Sequence, residues 1–387
     1  MLAKGDTFVF MIKRLLEQEI KDNILTADKV IIVYGPRQVG KTTIIDHIIQ
    51  TINIPFIKVN ADDLIYADVF ESRNYKTMMD FIGSHQLLFI DEAQNVKEIG
   101  SSIKILHDRN KALKIILSGS SSFDLANKTQ EPLTGRTKTF NLFPLSIKEL
   151  SLAASPFEIN QNIDQILTYG LYPEVYSYQN IDDKRNHLLE LTEAYLYKDI
   201  LNLSGIKNNK ALKNLLQLLA LQVGKTVSIN KLSNALNISS ETVNNYIDIL
   251  EKAFIIYRVQ GYSKNLAKEI SKMDKIYFYD LGVRNAVLGN FSSIRLRADM
   301  GGIWENFLIT ERKKNLSYKR DHTTTYFWRT YTGAEIDYIE EKDGLLHGFE
   351  IKMGTRRATV PKSWQENYPN STFNTINESL YLDWLLN

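Results

Sequence analysis

Val30-Ile31-Ile32-Val33-Tyr34-Gly35-Pro36-Arg37-Gln38-Val39-Gly40-Lys41-Thr42-Thr43 runs from an apolar stretch through a loop with a glycine at each end into a helical pattern carried by Ile44, Ile45, Ile48 and Ile49. Strand, G-x-x-x-x-G-K-T loop and helix follow one another in the order a phosphate-binding P-loop needs. Gly35 and Gly40 let the backbone curl so that successive N–H groups point inward at phosphate oxygens, and the helix N-terminus adds its positive dipole end. Lys41 would reach the β- and γ-phosphates, and the Thr42 hydroxyl would serve a magnesium ion. The nucleotide-binding residues expected here are Gly35, Pro36, Arg37, Gln38, Val39, Gly40, Lys41, Thr42 and Thr43.

A second motif supports the first. Leu87-Leu88-Phe89-Ile90-Asp91-Glu92 is a continuous apolar run that ends in two carboxylates, the Walker B pattern of a strand buried on both faces. Asp91 would hold the magnesium, and Glu92 would orient and deprotonate the attacking water. A third apolar run, Lys114 to Leu117, ends in Ser118-Gly119-Ser120. Ser118 or Ser120 stands where a γ-phosphate sensor is expected, although serines also favour turns that cap a following helix. Arg136, in Leu133-Thr134-Gly135-Arg136, reads as a fixed cation that neutralises transferred phosphate in cis or in trans, or as a surface salt bridge. Ser146 to Glu149 has the spacing of a capping box.

The chain has 387 residues, a formal net charge of +2, 44% hydrophobic residues and no cysteine. That length suggests two or three domains, and the near-neutral charge confines any nucleic-acid site to a local patch. The absence of cysteine excludes disulfides and thiolate metal sites and fits a reducing cytosol. The charged residues within Met1 to Ile20 are wrong for a secretory leader, and no apolar run is long enough for a membrane span, so a cytoplasmic protein is expected.

Gly35-Pro36-Arg37-Gln38-Val39-Gly40-Lys41-Thr42-Thr43, Phe89-Ile90-Asp91-Glu92-Ala93-Gln94, Thr134-Gly135-Arg136 and Pro144-Leu145-Ser146 together resemble the prokaryotic AAA-type ATPases that carry a C-terminal domain of unknown function. Gly170-Leu171-Tyr172-Pro173-Glu174 and Tyr197-Lys198-Asp199-Ile200 resemble the stretches that lead into that second half. The resemblance covers nearly the whole chain and implies ATP, with Mg2+, as the cofactor. No N-K-x-D motif points to guanine.

In the second half, Val227 to Ala253 reads as helix, turn, helix, and Phe254 to Val259 and Lys275 to Tyr279 as two strands, an order that fits a winged helix. Glu241, Asp248 and Glu251 on the second helix would repel phosphates, so DNA contact is better expected from Lys264, Lys268, Lys272 and Lys275. Further on, Glu305 lies on a helix, Asp337 on a strand, and Glu350-x-Lys352 on another, where alternation puts Glu350 and Lys352 on one face. This order resembles the D…E-x-K arrangement of the PD-(D/E)XK nuclease superfamily. The resemblance implies a metal site at Glu305, Asp337 and Glu350, with Lys352 activating water and stabilising the transition state.

The expected fold is therefore α/β: an N-terminal P-loop, AAA-type parallel sheet with helices on both faces, a winged-helix-like segment, and a small nuclease-like α/β domain. The expected domains are 1–150, a helical connector 151–205, the winged-helix-like 206–292 and the nuclease-like 293–387. The expected function is ATP hydrolysis controlling a C-terminal half that binds or acts on DNA. A different class of reading is a nucleotide-dependent protein-interaction switch with an inactive nuclease-like fold. Either one admits a homo-oligomer or a protein partner that supplies activation.

Overall fold

The computed structural model describes residues 12–119, 132–194, 208–264 and 273–387. Ser120, the stretch Tyr197 to Ile200, Lys268 and Lys272 lie outside the described residues. The first layer is a sheet of β1 (Val30–Tyr34), β2 (Phe56–Asn60), β3 (Leu87–Asp91), β4 (Lys114–Gly119) and β5 (Thr137–Asn141) in the order β2-β3-β4-β1-β5, every pairing parallel. β1 and β3 are buried at every residue, because helices cover both faces of the sheet. These helices include α1 (Leu16–Thr26), α2 (Lys41–Thr51), α3 (Leu64–Glu71), α4 (Tyr75–Ile82) and α5 (Ile99–Arg109). The capping box read at Ser146 forms: Ser146 caps α6 (Ile147–Leu150), and Glu149 reaches back to the Ser146 N–H.

Helices α7 (Pro156–Gln161), α8 (Ile163–Tyr169), α9 (Pro173–Ser177) and α10 (Ile181–Leu191) connect this layer to the second half. After α11 (Asn209–Leu221) and the short β6 (Thr226–Val227) come α12 (Ile229–Leu236) and α13 (Ser240–Lys252). Asn237 ends α12 in the left-handed region, and the Ser239 side chain caps α13 by accepting from the Thr242 N–H. β7 (Ile256–Gly261) and β8 (Asp274–Phe278) then pair antiparallel, with β6 on the far side of β8. The helices and strands thus follow in the order read from the sequence.

The remaining elements are α14 (Leu281–Leu288), α15 (Met300–Tyr318), β9 (Thr324–Arg329), β10 (Glu335–Lys342), β11 (Leu345–Ile351), α16 (Lys362–Asn367), β12 (Thr372–Ile376) and α17 (Tyr381–Leu386). Strands from the two sides of the division expected at residues 292 and 293 meet in one sheet. β7 pairs in parallel with β9, joining all seven later strands in one sheet of order β12-β11-β10-β9-β7-β8-β6. One hydrophobic cluster extends from Leu16 to Leu385 across both sheets. α15 spans the seam: its Glu311 accepts from the Ile147 N–H at 2.6 Å, its Lys314 donates to the Leu145 carbonyl at 2.9 Å, and its Tyr318 accepts from the Phe143 N–H at 3.3 Å. Among the described residues, no helix is long and apolar enough to cross a membrane.

Candidate functional site

The P-loop leaves the C-terminal end of β1 and enters α2 at Lys41. Gly35 is required by close approach, since a Cβ there would lie 2.1 Å from the Leu142 carbonyl oxygen. Gly40, with φ 91, takes the left-handed turn that starts the helix. Lys41 is buried, and its Nζ donates to the carbonyls of Gly35 at 2.9 Å and Pro36 at 3.0 Å. Burial pushes its pKa down to about 8, with Glu92 and Asp91 pulling the other way. The Thr42 hydroxyl donates to Asp91 Oδ2 at 2.7 Å, and the Ser118 hydroxyl donates to the other Asp91 oxygen.

Within the loop, Arg37 is half-buried, Gln38 is exposed with its Oε1 3.0 Å from His187 Nε2 on α10, and Thr43 is exposed. Glu92 adopts φ 51, a left-handed conformation that is uncommon outside glycine and recurs where a side chain is aimed for function. Gln94 donates to it. The donor set of ammonium, hydroxyl and two adjacent carboxylates suits a nucleoside triphosphate carrying a magnesium ion.

Arg136 does not join this cluster. It precedes β5, and its carbonyl accepts from the N–H of Val30, the first residue of β1, whereas the P-loop starts at the other end of that strand. About four strand residues, roughly 13 Å, separate the two ends. Arg136 instead forms a two-pronged pair with Asp108 on α5, at 2.8 and 3.1 Å. The cis phosphate-neutralising role is therefore corrected to a surface ion pair at the far edge of the sheet.

The structure also adds a residue that sequence reading missed. Arg14 is buried and donates to the Val39 carbonyl of the P-loop at 2.7 Å, to the Phe143 carbonyl at 2.6 Å and to Glu149 at 2.9 Å. Glu149, fully buried, divides its oxygens between Arg14 and the cap of α6. The capping box flagged Glu149, but nothing local marks its second partner.

A second cluster lies in the seven-stranded sheet. Glu305 of α15, Glu335 and Asp337 of β10 surround the ammonium of Lys275 on β8, at 2.9, 2.7 and 3.5 Å. Asp337 sits at an irregularity of β10, where one extra residue bends the strand opposite β9. The Tyr277 hydroxyl donates to the same Glu305 oxygen at 2.6 Å, and Asp337 Oδ2 accepts from the Ile351 N–H at 3.0 Å. Glu350 pairs with Lys352 at 2.6 Å, and its buried Oε2 has no hydrogen-bond partner. Burial, opposed by Lys275 and reinforced by Asp337, raises the Glu305 pKa to about 7. Burial works against the Lys275 charge too, yet Glu305, Asp337 and Glu335 outweigh it and hold its pKa well above that of an ordinary lysine.

Of the expected set, Glu305 and Asp337 thus meet at a protein cation, whereas Glu350 is paired with Lys352. Among the described residues, no three carboxylate or imidazole groups are placed to hold a metal ion. The metal site expected at Glu305, Asp337 and Glu350 does not fit the residues present. Lys275, expected as a surface contact for DNA, is fully buried instead.

Comparisons with known proteins place these sites in context. Residues 27–151 match the model of an AAA domain, 160–293 that of a domain of unknown function (DUF8612), and 300–378 that of a second (DUF4143). The chain is 26% identical over 326 residues to an uncharacterized protein of Mycobacterium tuberculosis, covering 84% of this chain and 70% of that one. It is also 26% identical over 376 residues to an uncharacterized protein of Methanocaldococcus jannaschii, covering 91% of this chain and 82% of the other. Among solved structures, the Walker-type ATPase of Pyrococcus abyssi shares the fold at a TM-score of 0.50 and 14% identity, over 74% of this chain and 99% of that one. Domain match, sheet order and motif geometry agree: the N-terminal region is a P-loop ATPase domain of AAA type.

Proposed function

We propose that the chain binds ATP with Mg2+ at Gly35–Thr43, hydrolyses it with Glu92 as the base for the attacking water, and passes the nucleotide state to a C-terminal half that engages DNA. The observation that carries the hydrolytic part is the Thr42–Asp91 contact of 2.7 Å beside the buried Lys41 and the adjacent Glu92. It sets the magnesium-binding hydroxyl and carboxylate side by side. Magnesium bound there would neutralise charge on the β- and γ-phosphates.

The coupling part rests on Arg14. It joins the P-loop carbonyl of Val39 to Glu149, Glu149 caps α6, and the first N–H of α6 is held by Glu311 of α15. A shift of the loop on hydrolysis therefore has a buried polar route into the helix that also carries Glu305. DNA engagement is supported by α13: Arg258 binds both Asp248 and Glu251, which removes two of the three carboxylates that would repel phosphate. A second reading, a protein-interaction switch, draws on the filled carboxylate cluster around Lys275. A cytoplasmic setting, with a second copy or protein partner that accelerates turnover, completes the proposal.

The test is Glu92→Gln. This protein should hold ATP while its turnover falls by roughly 100-fold or more, and its affinity for duplex DNA, read by fluorescence anisotropy, should differ with and without ATP. Turnover equal to that of the unaltered chain would remove Glu92 as the base. DNA affinity indifferent to ATP, or absent, would leave the protein-interaction reading.

A further inference from the structure

The carboxylates of the second cluster stand where a nuclease-like fold would keep a divalent cation, and each is already engaged. Glu305 Oε1 takes donors from both Lys275 and Tyr277. Glu335 takes Lys275 and lies 3.5 Å from Arg329. Asp337 takes Lys275 on one oxygen and the Ile351 N–H on the other. The oxygens not used in these contacts, Glu305 Oε2 and Glu350 Oε2, are two ligands, and divalent cations such as calcium and magnesium take about six or more.

We propose that Lys275 is a built-in cation that replaces a divalent metal among Glu305, Glu335 and Asp337, so that the C-terminal domain works without metal and does not cut nucleic acid. An ion bonded to these oxygens at roughly 2.0 to 2.6 Å would have to sit almost on top of the ammonium, which already lies 2.7 and 2.9 Å from two of them. The lysine cannot swing aside to make room. Its backbone is fixed in β8, paired to Val259 on one side and Thr226 on the other. Its side chain is 1% exposed, with the Phe327 ring centred 5.5 Å from Nζ. A lysine turned out of the cluster would enter the apolar core as an unpaired charge, the costlier arrangement.

What the ammonium does there is mechanical. It binds β8, from the helix-turn-helix side of the sheet, to β10 and α15, and so welds two sequence segments into one body.

The experiment is a Mn2+ titration of the nucleotide-free full-length protein by calorimetry, beside Asp337→Asn and Lys275→Met. The unaltered chain should show no saturable Mn2+ binding that depends on Asp337, and no Mg2+- or Mn2+-dependent cutting of supercoiled DNA. In Lys275→Met, Mn2+ should raise the melting temperature by several degrees, and adding Asp337→Asn should abolish that rise. If Lys275→Met does not fold, Lys275→Met combined with Glu335→Gln, with one carboxylate fewer to compensate, takes its place. Saturable Mn2+ binding by the unaltered chain that Asp337→Asn abolishes would overturn the proposal. So would DNA cutting lost in Asp337→Asn, or a folded Lys275→Met protein whose melting temperature ignores Mn2+.

Discussion

Two buried lysines, each beside carboxylates, divide the molecule by purpose. Lys41 donates to loop carbonyls, and burial drives its pKa down to about 8. Lys275 is as deeply buried, yet three carboxylates hold its pKa far above that of an ordinary lysine. The difference lies in what each is paired with. A cation left to neutral dipoles carries an undercompensated charge and is ready for an anionic ligand, whereas one that already has its counter-ions is structural. A buried lysine near acids is thus no sign of a binding site until its partners are counted.

The contrast is broken most directly by removing each ammonium in turn. Lys275→Met strands three carboxylates and should cost about 3 to 5 kcal/mol of folding stability. Lys41→Met should fall within about 1 kcal/mol of the unaltered chain. Its depressed pKa means that the charged form is penalised in the folded protein below pH 8, by about 3 kcal/mol, and relief of that penalty offsets two lost hydrogen bonds at about 1 kcal/mol each. Urea melts at pH 7 without nucleotide measure both. Equal losses in the two variants would erase the distinction.

The same pKa sharpens the comparison through pH. Without nucleotide, Lys41 loses its proton as pH rises through about 8, while bound phosphates favour the charged form and raise that pKa. Binding therefore takes up a proton above pH 8, and the ATP dissociation constant should rise roughly tenfold between pH 7 and pH 9. Calorimetry in buffers of different ionisation enthalpy reads the proton directly. Lys41→Arg, which cannot titrate in this range, should flatten the profile, and a flat profile in the unaltered chain would deny the lowered pKa.

Local pattern made the ATPase core legible. Val30–Tyr34 and Leu87–Asp91 announce buried strands by composition, and the P-loop spacing fixes what lies between strand and helix. What stayed hidden was long-range. Arg14 meets its partners 25, 129 and 135 residues away, so no window around it contains them. Lys275 read as solvated because lysines usually are, and its counter-ions arrive from α15 and β10. The single seven-stranded sheet depends on the β7–β9 pairing, Gln260 with Tyr326, which nothing in either strand declares. The order along the chain pointed to Glu305 and Asp337, yet the cation that these two share with Glu335 could be known only once β8 was in place.

Arg136 shows how one unrecognised strand moves a residue to the wrong end of a sheet. The polar run Thr137 to Asn141 does not resemble a core strand, so Arg136 read as lying beyond the last one, near the phosphates. It is instead the residue before β5, which pairs along β1 from Val30 with Thr137 to Tyr34 with Asn141. Parallel strands start at the end opposite the nucleotide, and Arg136 starts with them. Its ion pair with Asp108 is solvent-exposed on both sides, where water screens the charges and leaves such a pair little net contribution. Arg136→Ala should therefore leave ATP affinity and the turnover of dilute, unassembled protein unchanged. A drop in turnover that appears only at concentrations where copies associate, and that mixing with Lys41→Ala protein partly restores, would assign this arginine to a neighbour's phosphates. A drop in dilute protein would instead contradict the distance that β1 imposes.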